Sequence, residues 1–409
     1  MKVLHINAVY HYGSTGMIVE DIHNLSLEKG IDSYVVYSTS SKSENRISNP
    51  YQMGKSFPKK LHALLSRING RQGYFSKNST KKLLNYLDKI KPDIVHLHNL
   101  HANYINLNML LDYLAKKDIS TVVTLHDCWF FTGGCYHYTN QGCYKWQEKC
   151  GNCPKKHTDL KSHFLDKTKE NLADRKKHFS KIKDLNVVGV SNWISDEAQK
   201  SILKDKNHFV IHNGIDTELF VNTPSNLKEE LGLENKFVVL GLAIKWLDPI
   251  NKKAFDYVSQ NLPTDCAFVL FGCTEEQKSN LPENVIGLDY IKDKDTLIKL
   301  YSMADVLINC TREETLSLIN VEPQACGTPV ITYKNTGAKE TVDNICGFSV
   351  ETEDYCALFE KIIEIKARGK SAYSSLCRSF VINNFDKASN YQRYIDLYES
   401  IFKEKQKNK

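Results

Sequence analysis

No apolar run in this 409-residue chain is long enough to cross a membrane, and no tract is of low complexity. The first absence excludes a spanning helix. It covers the opening VLHINAVY, which is short, carries polar residues and reads as a buried strand rather than a secretion signal. The second absence, with 41% apolar and 25% charged residues, excludes a disordered chain. Excess charge of one sign is also scarce. A net charge of +6 is too mild to point to nucleic acid, and no nucleic-acid partner is expected. The GxGxxG dinucleotide fingerprint is missing. The nearest thing to a metal-binding DxD, Asp293-Lys-Asp295, sits where a helix would start and is better explained by capping.

Cysteine, by contrast, is plentiful. A chain without a signal is expected in the cytoplasm, where thiols stay reduced, so its twelve cysteines do not read as a disulfide scaffold. Four of them, Cys135, Cys143, Cys150 and Cys153, fall within one insert near 128–154 and end in a CxxC pair. Four thiolates suit a tetrahedral structural zinc. The first two spacings are not those of a common zinc ribbon, which leaves structural zinc, free thiols and disulfides all open. No catalytic role is assigned to this loop.

Strand-like runs alternate with helical periods along the whole length, the pattern of an α/β protein built on parallel, doubly wound sheets. The strand Val3–Ala8 leads through Gly13 and Gly16 into a helix from Met17 to Glu28, and a second strand, Ser33–Ser38, closes a βαβ unit. The small residues of that turn would let backbone amides approach a phosphate. Strands at Ile94–His98 and Thr121–Leu125 follow, the latter leaving the sheet as His126-Asp127. Ligands of doubly wound sheets bind beyond the carboxyl ends of strands, so His126 is a candidate site residue, with His98, His101 and Asp127 similarly placed. A long polar helix is read over Lys161–Ile182. Polar, helix-prone residues 217–235 mark a boundary. The expected domains are 1–215, 216–386, and a C-terminal amphipathic helix within 387–409 that returns to the first domain.

Positive charge is unevenly spread. Residues 59–82 and 155–177 carry two lysine- and arginine-rich clusters, and Leu61, Leu64, Leu65 and Ile68 recur at helical spacing within the first. Such a segment suits an anionic membrane surface; the alternative is a helix packed on its own domain.

The most informative stretch is Asn309–Thr332. Pro323 limits where its helix begins and should lie in the first turn, and Gly327-Thr-Pro329 ends it, so the helix opens around 318–320. Glu314 then precedes the helix and Glu322 lies near its start, seven residues intervening. Amides of Ser317, Leu318 and Ile319 would face an anion. Acidic groups beside an anion site make sense if they grip hydroxyls, and a sugar nucleotide offers both. The alternative is two glutamates offsetting a helix dipole.

Glu314-x7-Glu322 with its QACGTPVIT tail, VIHNGID at 210–216, the Gly13–Gly16 turn and the strand-end His126 together resemble glycosyltransferase family 4, of the bacterial exopolysaccharide-biosynthesis type. The resemblance spans nearly the whole chain. It implies a GT-B fold, two Rossmann-like domains facing a cleft. It also implies retaining, metal-independent transfer from a nucleoside-diphosphate sugar to a glycan or undecaprenyl-type lipid-linked acceptor, with no cofactor for catalysis. Glu314 would contact the donor sugar, Glu322 the ribose, and His126 the donor sugar or a proton. The family's basic pair would fall on Lys252 and Lys253, the latter catalytic, with Lys245 as an alternative. Peripheral contact with the inner face of the plasma membrane stays open. The competing functions are a sugar-nucleotide 2-epimerase-type isomerase and a non-catalytic sugar-nucleotide-binding protein.

Overall fold

The computed structural model describes residues 1–41, 47–54 and 56–407. Parts of the stretch 40–80, at 42–46 and 55, and the last two residues of 387–409 lie outside the described residues. The chain divides into two compact units, Met1–Ile211 with Tyr391–Lys409, and His212–Asn390.

The first unit holds seven strands: β1 Lys2–Tyr10, β2 Asp32–Ser40, β3 Pro50–Gln52, β4 Ile94–Leu97, β5 Ser120–Leu125, β6 Leu185–Gly189 and β7 Asn207–Val210. They form one sheet in the order β3-β2-β1-β4-β5-β6-β7, and every pairing is parallel. β4 and β5 are buried at every position, which is why neither shows the apolar–polar alternation of a half-exposed strand. Tyr391, Tyr394, Ile395, Tyr398 and Ile401 of the C-terminal helix Lys387–Lys407 pack against Val3, Ile94, Val122 and Val188 of the sheet. Tyr398 also donates to or accepts from His96 Nδ1 at 2.6 Å, and Thr124 Oγ1 engages His96 Nε2 at 2.7 Å.

The second unit repeats the plan with β8 Phe237–Leu242, β9 Cys266–Phe271, β10 Val285–Leu288, β11 Val306–Asn309, β12 Val330–Tyr333 and β13 Phe348–Val350. Their order is β10-β9-β8-β11-β12-β13, again all parallel. Two doubly wound parallel sheets are what the sequence pattern leads one to expect. The second unit starts at His212, a few residues before the expected 216. Ile215 bridges to Asp386 and packs among Phe220, Val381 and Phe385, so that strand end belongs to the second core.

Two local expectations need correction. The polar helix runs Thr168–Phe179 rather than from 161, because Asp166 accepts from the Thr168 amide at 2.9 Å and from its hydroxyl at 2.6 Å, and Lys161 has φ +53°. Pro323 is the sixth residue of the helix Leu318–Ala325, in its second turn. The missing amide costs one backbone bond. The helix is short and ends two residues later, with Gly327 at φ +80° accommodating the turn that closes it. The Asp293 reading agrees with its geometry: its carboxylate accepts from the Thr296 amide at 2.8 Å and caps the helix Lys294–Met303.

Replacing Tyr398 by phenylalanine leaves the buried His96 Nδ1 without its partner. The expected cost is about 1–3 kcal/mol, read as a lower unfolding midpoint with the fold retained. An unchanged midpoint would mean that His96 does not depend on this hydroxyl.

Candidate active site

In an open parallel sheet the carboxyl ends of two neighbouring strands form a crevice where successive crossovers run to opposite sides. In the second unit those strands are β8 and β11, since β8 leads to β9 on one flank and β11 to β12 on the other. β8 runs into the short helix Ala243–Trp246, anchored by Trp246 Nε1 donating to the Ile308 carbonyl at 3.1 Å. β11 runs into the loop carrying Thr311, Arg312 and Glu314. Lys245 Nζ therefore meets Glu314 Oε1 at 2.7 Å and donates to Thr311 Oγ1 at 3.1 Å. Both side chains are partly exposed, so the pair faces solvent and is open to a ligand.

The surroundings hold this pair in place. Asn251 Nδ2 donates to the carbonyls of Lys245 and Cys310, each at 2.9 Å, tying the two strand ends together. Arg312 fixes the same turn through Asn251 Oδ1 and the Ile250 carbonyl, and pairs with Glu353 at 2.8 Å. The Glu314 amide donates to Thr336 Oγ1 at 3.1 Å, and its carbonyl accepts from the Gly337 amide at 3.0 Å. Asn251 and Arg312 escape a sequence reading because their function is to brace backbone. The one hint is that Arg312 lies two residues before Glu314.

Ser317 precedes the helix Leu318–Ala325 but does not cap it. Its hydroxyl accepts instead from Asn309 Nδ2 at 2.9 Å, inside a buried network of Asn309, Asn320, Thr341 and Gln324. With no side-chain cap, the opening amides of that helix and the helix dipole suit an anion. Glu322 points its Oε2 at the Tyr301 hydroxyl, which donates at 2.9 Å. Although only half-buried by exposed area, its carboxyl sits in dense surroundings. Burial pushes it up to about 7, against smaller lowering effects from Tyr301 and Lys294.

Lys252 and Lys253 are not part of this constellation. Both are exposed on the helix Lys252–Asn261, and Lys252 pairs with Asp256 one turn on, at 2.6 Å. The lysine that the fold brings to Glu314 is Lys245.

In the first unit the corresponding neighbours are β1 and β4. Beyond β1, Gly13 opens the helix Gly13–Glu28, which carries no side-chain cap, and Gly16 lies in its first turn. A row of imidazoles runs from His5 in β1 past the ends of β4 and β5, with His5 and His98 buried and His126 half-buried. His5 Nδ1 is 3.4 Å from His98 Nε2, and His98 Nδ1 is 3.1 Å from His126 Nε2. Each neutral ring can donate from one nitrogen and accept at the other, so the tautomers of the three rings are set together. Burial holds His126 down at about 4, and His96 and His98 well below the ordinary range, so all three are neutral near pH 7. The nitrogens of His5, His96 and His98 come within 4.8 Å of one another, but His96 and His98 have both ring nitrogens engaged in hydrogen bonds. His126 and Asp127 do not act as a couple: Asp127 pairs with His101 at 2.9 Å and accepts from the Trp129 amide at 2.8 Å.

The sequence pattern of the family described as "Glycosyl transferases group 1" matches residues 251–375, and that of "Glycosyltransferase Family 4" matches 26–219, more than half of the chain together. The chain is 23% identical over 403 residues to a putative colanic acid biosynthesis glycosyl transferase, WcaC, of Escherichia coli K12, covering 91% of this chain and 96% of that one. Over 126 residues it is 30% identical to the capsular polysaccharide biosynthesis glycosyltransferase CapM of Staphylococcus aureus, covering 30% and 32%. Among solved structures, sucrose-phosphate synthase from Thermosynechococcus elongatus superposes with a TM-score of 0.70 at 16% identity over 98% of this chain and 99% of that one. Anabaena HepE in complex with UDP does so at 0.66 and 17%, over 98% and 100%. At these identities the structures speak for the fold.

Glu322 gives a pH test of the site's electrostatics. Between its ordinary 4.5 and about 7, the unfolded chain has released this proton and the folded chain retains it, so this group lowers stability as pH rises through that window. Glu322→Gln removes the effect. The unfolding midpoint of the variant, relative to wild type, should climb from about pH 5 to about pH 8. A difference that stays flat with pH would place the Glu322 carboxyl near its ordinary value.

Proposed function

The chain belongs to glycosyltransferase family 4, as a glycosyltransferase of polysaccharide biosynthesis with the GT-B fold, and from that premise we propose that it transfers a hexose, with retention, from a nucleoside-diphosphate sugar to a lipid-linked glycan at the cytoplasmic membrane face. The observation that carries this reading is the Lys245–Glu314 pair at the β8/β11 crevice, one loop away from the uncapped helix start at Leu318. Similar folds recorded with UDP make uridine nucleotides the first donors to test.

Transfer breaks the bond between the sugar C1 and the diphosphate oxygen, and both electrons leave with the diphosphate. Lys245 and the amides of Leu318 and Ile319 stabilise that growing charge, so the chemistry needs no metal ion. Glu314, released from Lys245 as the phosphate takes over the ammonium, accepts hydrogen bonds from sugar hydroxyls. Glu322 does the same for the ribose. The acceptor oxygen bonds to C1 on the face the diphosphate leaves, and its proton passes to the departing phosphate oxygen. His126, neutral and with its tautomer set by His98, is suited to hydrogen-bond a sugar hydroxyl rather than to act as a cation.

A membrane-borne acceptor is supported by an unusual surface. The helix Ser56–Asn69 turns His62 and Ser66 inward, where His62 engages Ser76 Oγ at 2.7 Å, and leaves Leu61 and Leu64 outward. Leu61, Leu64 and Ile68 are 47%, 56% and 43% exposed, beside the exposed Lys60 and Arg67. The His163 amide donates to the Arg67 carbonyl at 2.7 Å, which brings Phe164, 72% exposed, to the end of the same helix. Apolar side chains ringed by cations suit insertion into an anionic lipid surface. No helix among the described residues is long and apolar enough to cross a membrane.

Glu314→Ala and Lys245→Ala should each cut transfer from a UDP-sugar by about 10²–10³-fold with the fold intact, while Lys252→Ala stays near wild type. Equal effects of Lys245→Ala and Lys252→Ala would overturn the lysine assignment. Isomerised nucleotide sugar in a reaction with donor alone would replace transfer by isomerisation. Leu64→Glu with Ile68→Glu should abolish sedimentation with phosphatidylglycerol-rich vesicles and leave UDP binding unchanged. Retained sedimentation would remove this helix from the membrane contact.

A further inference from the structure

Four cysteines take no part in the site described above. Between the end of β5 at Leu125 and the helix starting at Thr168, the chain forms only three short 3-10 turns, at Trp129–Phe131, Thr139–Gln141 and Lys145–Gln147. A stretch this long without helix or strand depends on side chains to hold its backbone. Its start is tied by Arg175, whose buried guanidinium donates to the carbonyls of Trp129, at 2.5 Å, and Thr132 and lies 4.0 Å over the Trp129 ring. Its middle is tied by Trp146, packed edge-on to Phe131 at 5.1 Å and tilted against Tyr138 at 5.0 Å. The remainder is held by dispersed polar contacts, among them the Cys153 amide donating to Asp166 at 2.6 Å and Asn171 Nδ2 donating to the Gly133 carbonyl at 3.1 Å, and it carries the four cysteines.

Cys135, Cys143, Cys150 and Cys153 line one small cavity, and all four are reduced. The backbone serves their sulfurs: Cys150 Sγ accepts from the Gly133 amide, and Cys153 Sγ from the Lys155 amide two residues on. Amide hydrogen bonds to sulfur are weak for a thiol and stronger for a thiolate. Gly133 makes the first of them through close approach. A Cβ there would lie 2.5 Å from the Thr168 carbonyl oxygen and 3.0 Å from Cys150 Cβ.

Cations gather at the same place. Arg175 interacts electrostatically with Cys150 and Cys135. Lys145 donates to the carbonyls of Gly151 and Asn152 at 3.2 and 3.1 Å, within the CxxC segment. Lys155, itself paired with Asp159 at 3.6 Å, donates to the His137 carbonyl at 2.8 Å. Carboxylates of Asp159 and Asp166 face the same sulfurs, so the local charge is mixed, and what suits a metal is that four sulfurs line one cavity.

We propose that Cys135, Cys143, Cys150 and Cys153 bind one zinc ion as thiolates and that this metal fixes the insert that follows β5. Each cysteine gives up its proton on binding. Zinc–sulfur bonds of about 2.3 Å bring the sulfurs to roughly 4 Å from one another. No three of them lie within 4.8 Å of one another here, so metal binding closes the side chains inward around the cavity. The ion has no open position and no part in transfer, in keeping with a structural site.

Metal analysis of the full-length protein, purified without chelator or metal-affinity resin, should find about one zinc per chain. A mercurial titrated against the wild type should release that zinc as the four thiols react, and a chelator should lower the unfolding midpoint. Because Cys153→Ser can fail to fold, exchange of wild type with cobalt(II) provides the second reading. Thiolate-to-cobalt charge-transfer bands of a tetrahedral site are expected. A metal-free protein that is fully folded and shows no such bands would overturn the proposal. So would an intact mass showing the hydrogens of paired cysteines lost.

Discussion

Everything at the candidate site depends on a constraint of parallel sheets. Strands that run in one direction must be joined by crossovers, and where the strand order turns back, two neighbouring carboxyl ends are left uncovered. β8 and β11 are that pair in the second unit. The short helix after β8 delivers Lys245, the loop after β11 delivers Glu314, and they meet at 2.7 Å although 68 residues of chain lie between them. Asn251 and Arg312 lock the two loops to each other, so the pair is held before any ligand arrives.

The site keeps charge at low cost until it is used. A partly exposed ion pair contributes little to stability, and Lys245 and Glu314 are exchangeable partners rather than a buried bridge. Glu322 is held in surroundings that oppose its ionisation, and the histidines beyond β4 and β5 are kept neutral by burial. On the proposed function, such groups gain hydrogen bonds when hydroxyls of a donor reach them. The buried Asn309–Asn320–Gln324 network has the opposite character. It fixes the start of the helix at Leu318 by drawing Ser317 away from a capping position.

Much of the fold was legible because burial on both faces removes the alternation of a half-exposed strand, and Thr121–Leu125 reads within one residue of the observed Ser120–Leu125. The two glutamates were legible through the resemblance carried by Glu314-x7-Glu322 and its QACGTPVIT tail, since their spacing alone fits residues that offset a helix dipole. Pro323 was placed one turn too early, since a short helix tolerates one missing bond. The lysine was not legible. Lys252 and Lys253 are adjacent as the family's basic pair is, but Leu247-Asp-Pro249-Ile250 alters the spacing, and only the crossing of β8 and β11 decides which ammonium reaches Glu314. Helix Ser56–Asn69 was ambiguous for a similar reason: its periodicity reveals an apolar face but not whether that face points inward, and His62 and Ser66 occupy the inward side. The partners of His126 and Asp127 were not legible either: both lie just beyond β5, and the fold gives them His98 and His101 respectively.

The central claim is that the β8/β11 crevice holds the donor. A structure of the protein soaked with UDP-sugar tests it most directly. The account predicts the diphosphate against Lys245 and the amides of Leu318 and Ile319, with the ribose at Glu322 and the sugar at Glu314. A nucleotide seated instead at the glycine-bearing helix start of Gly13 and Gly16, with Lys245 and Glu314 still paired, would contradict it.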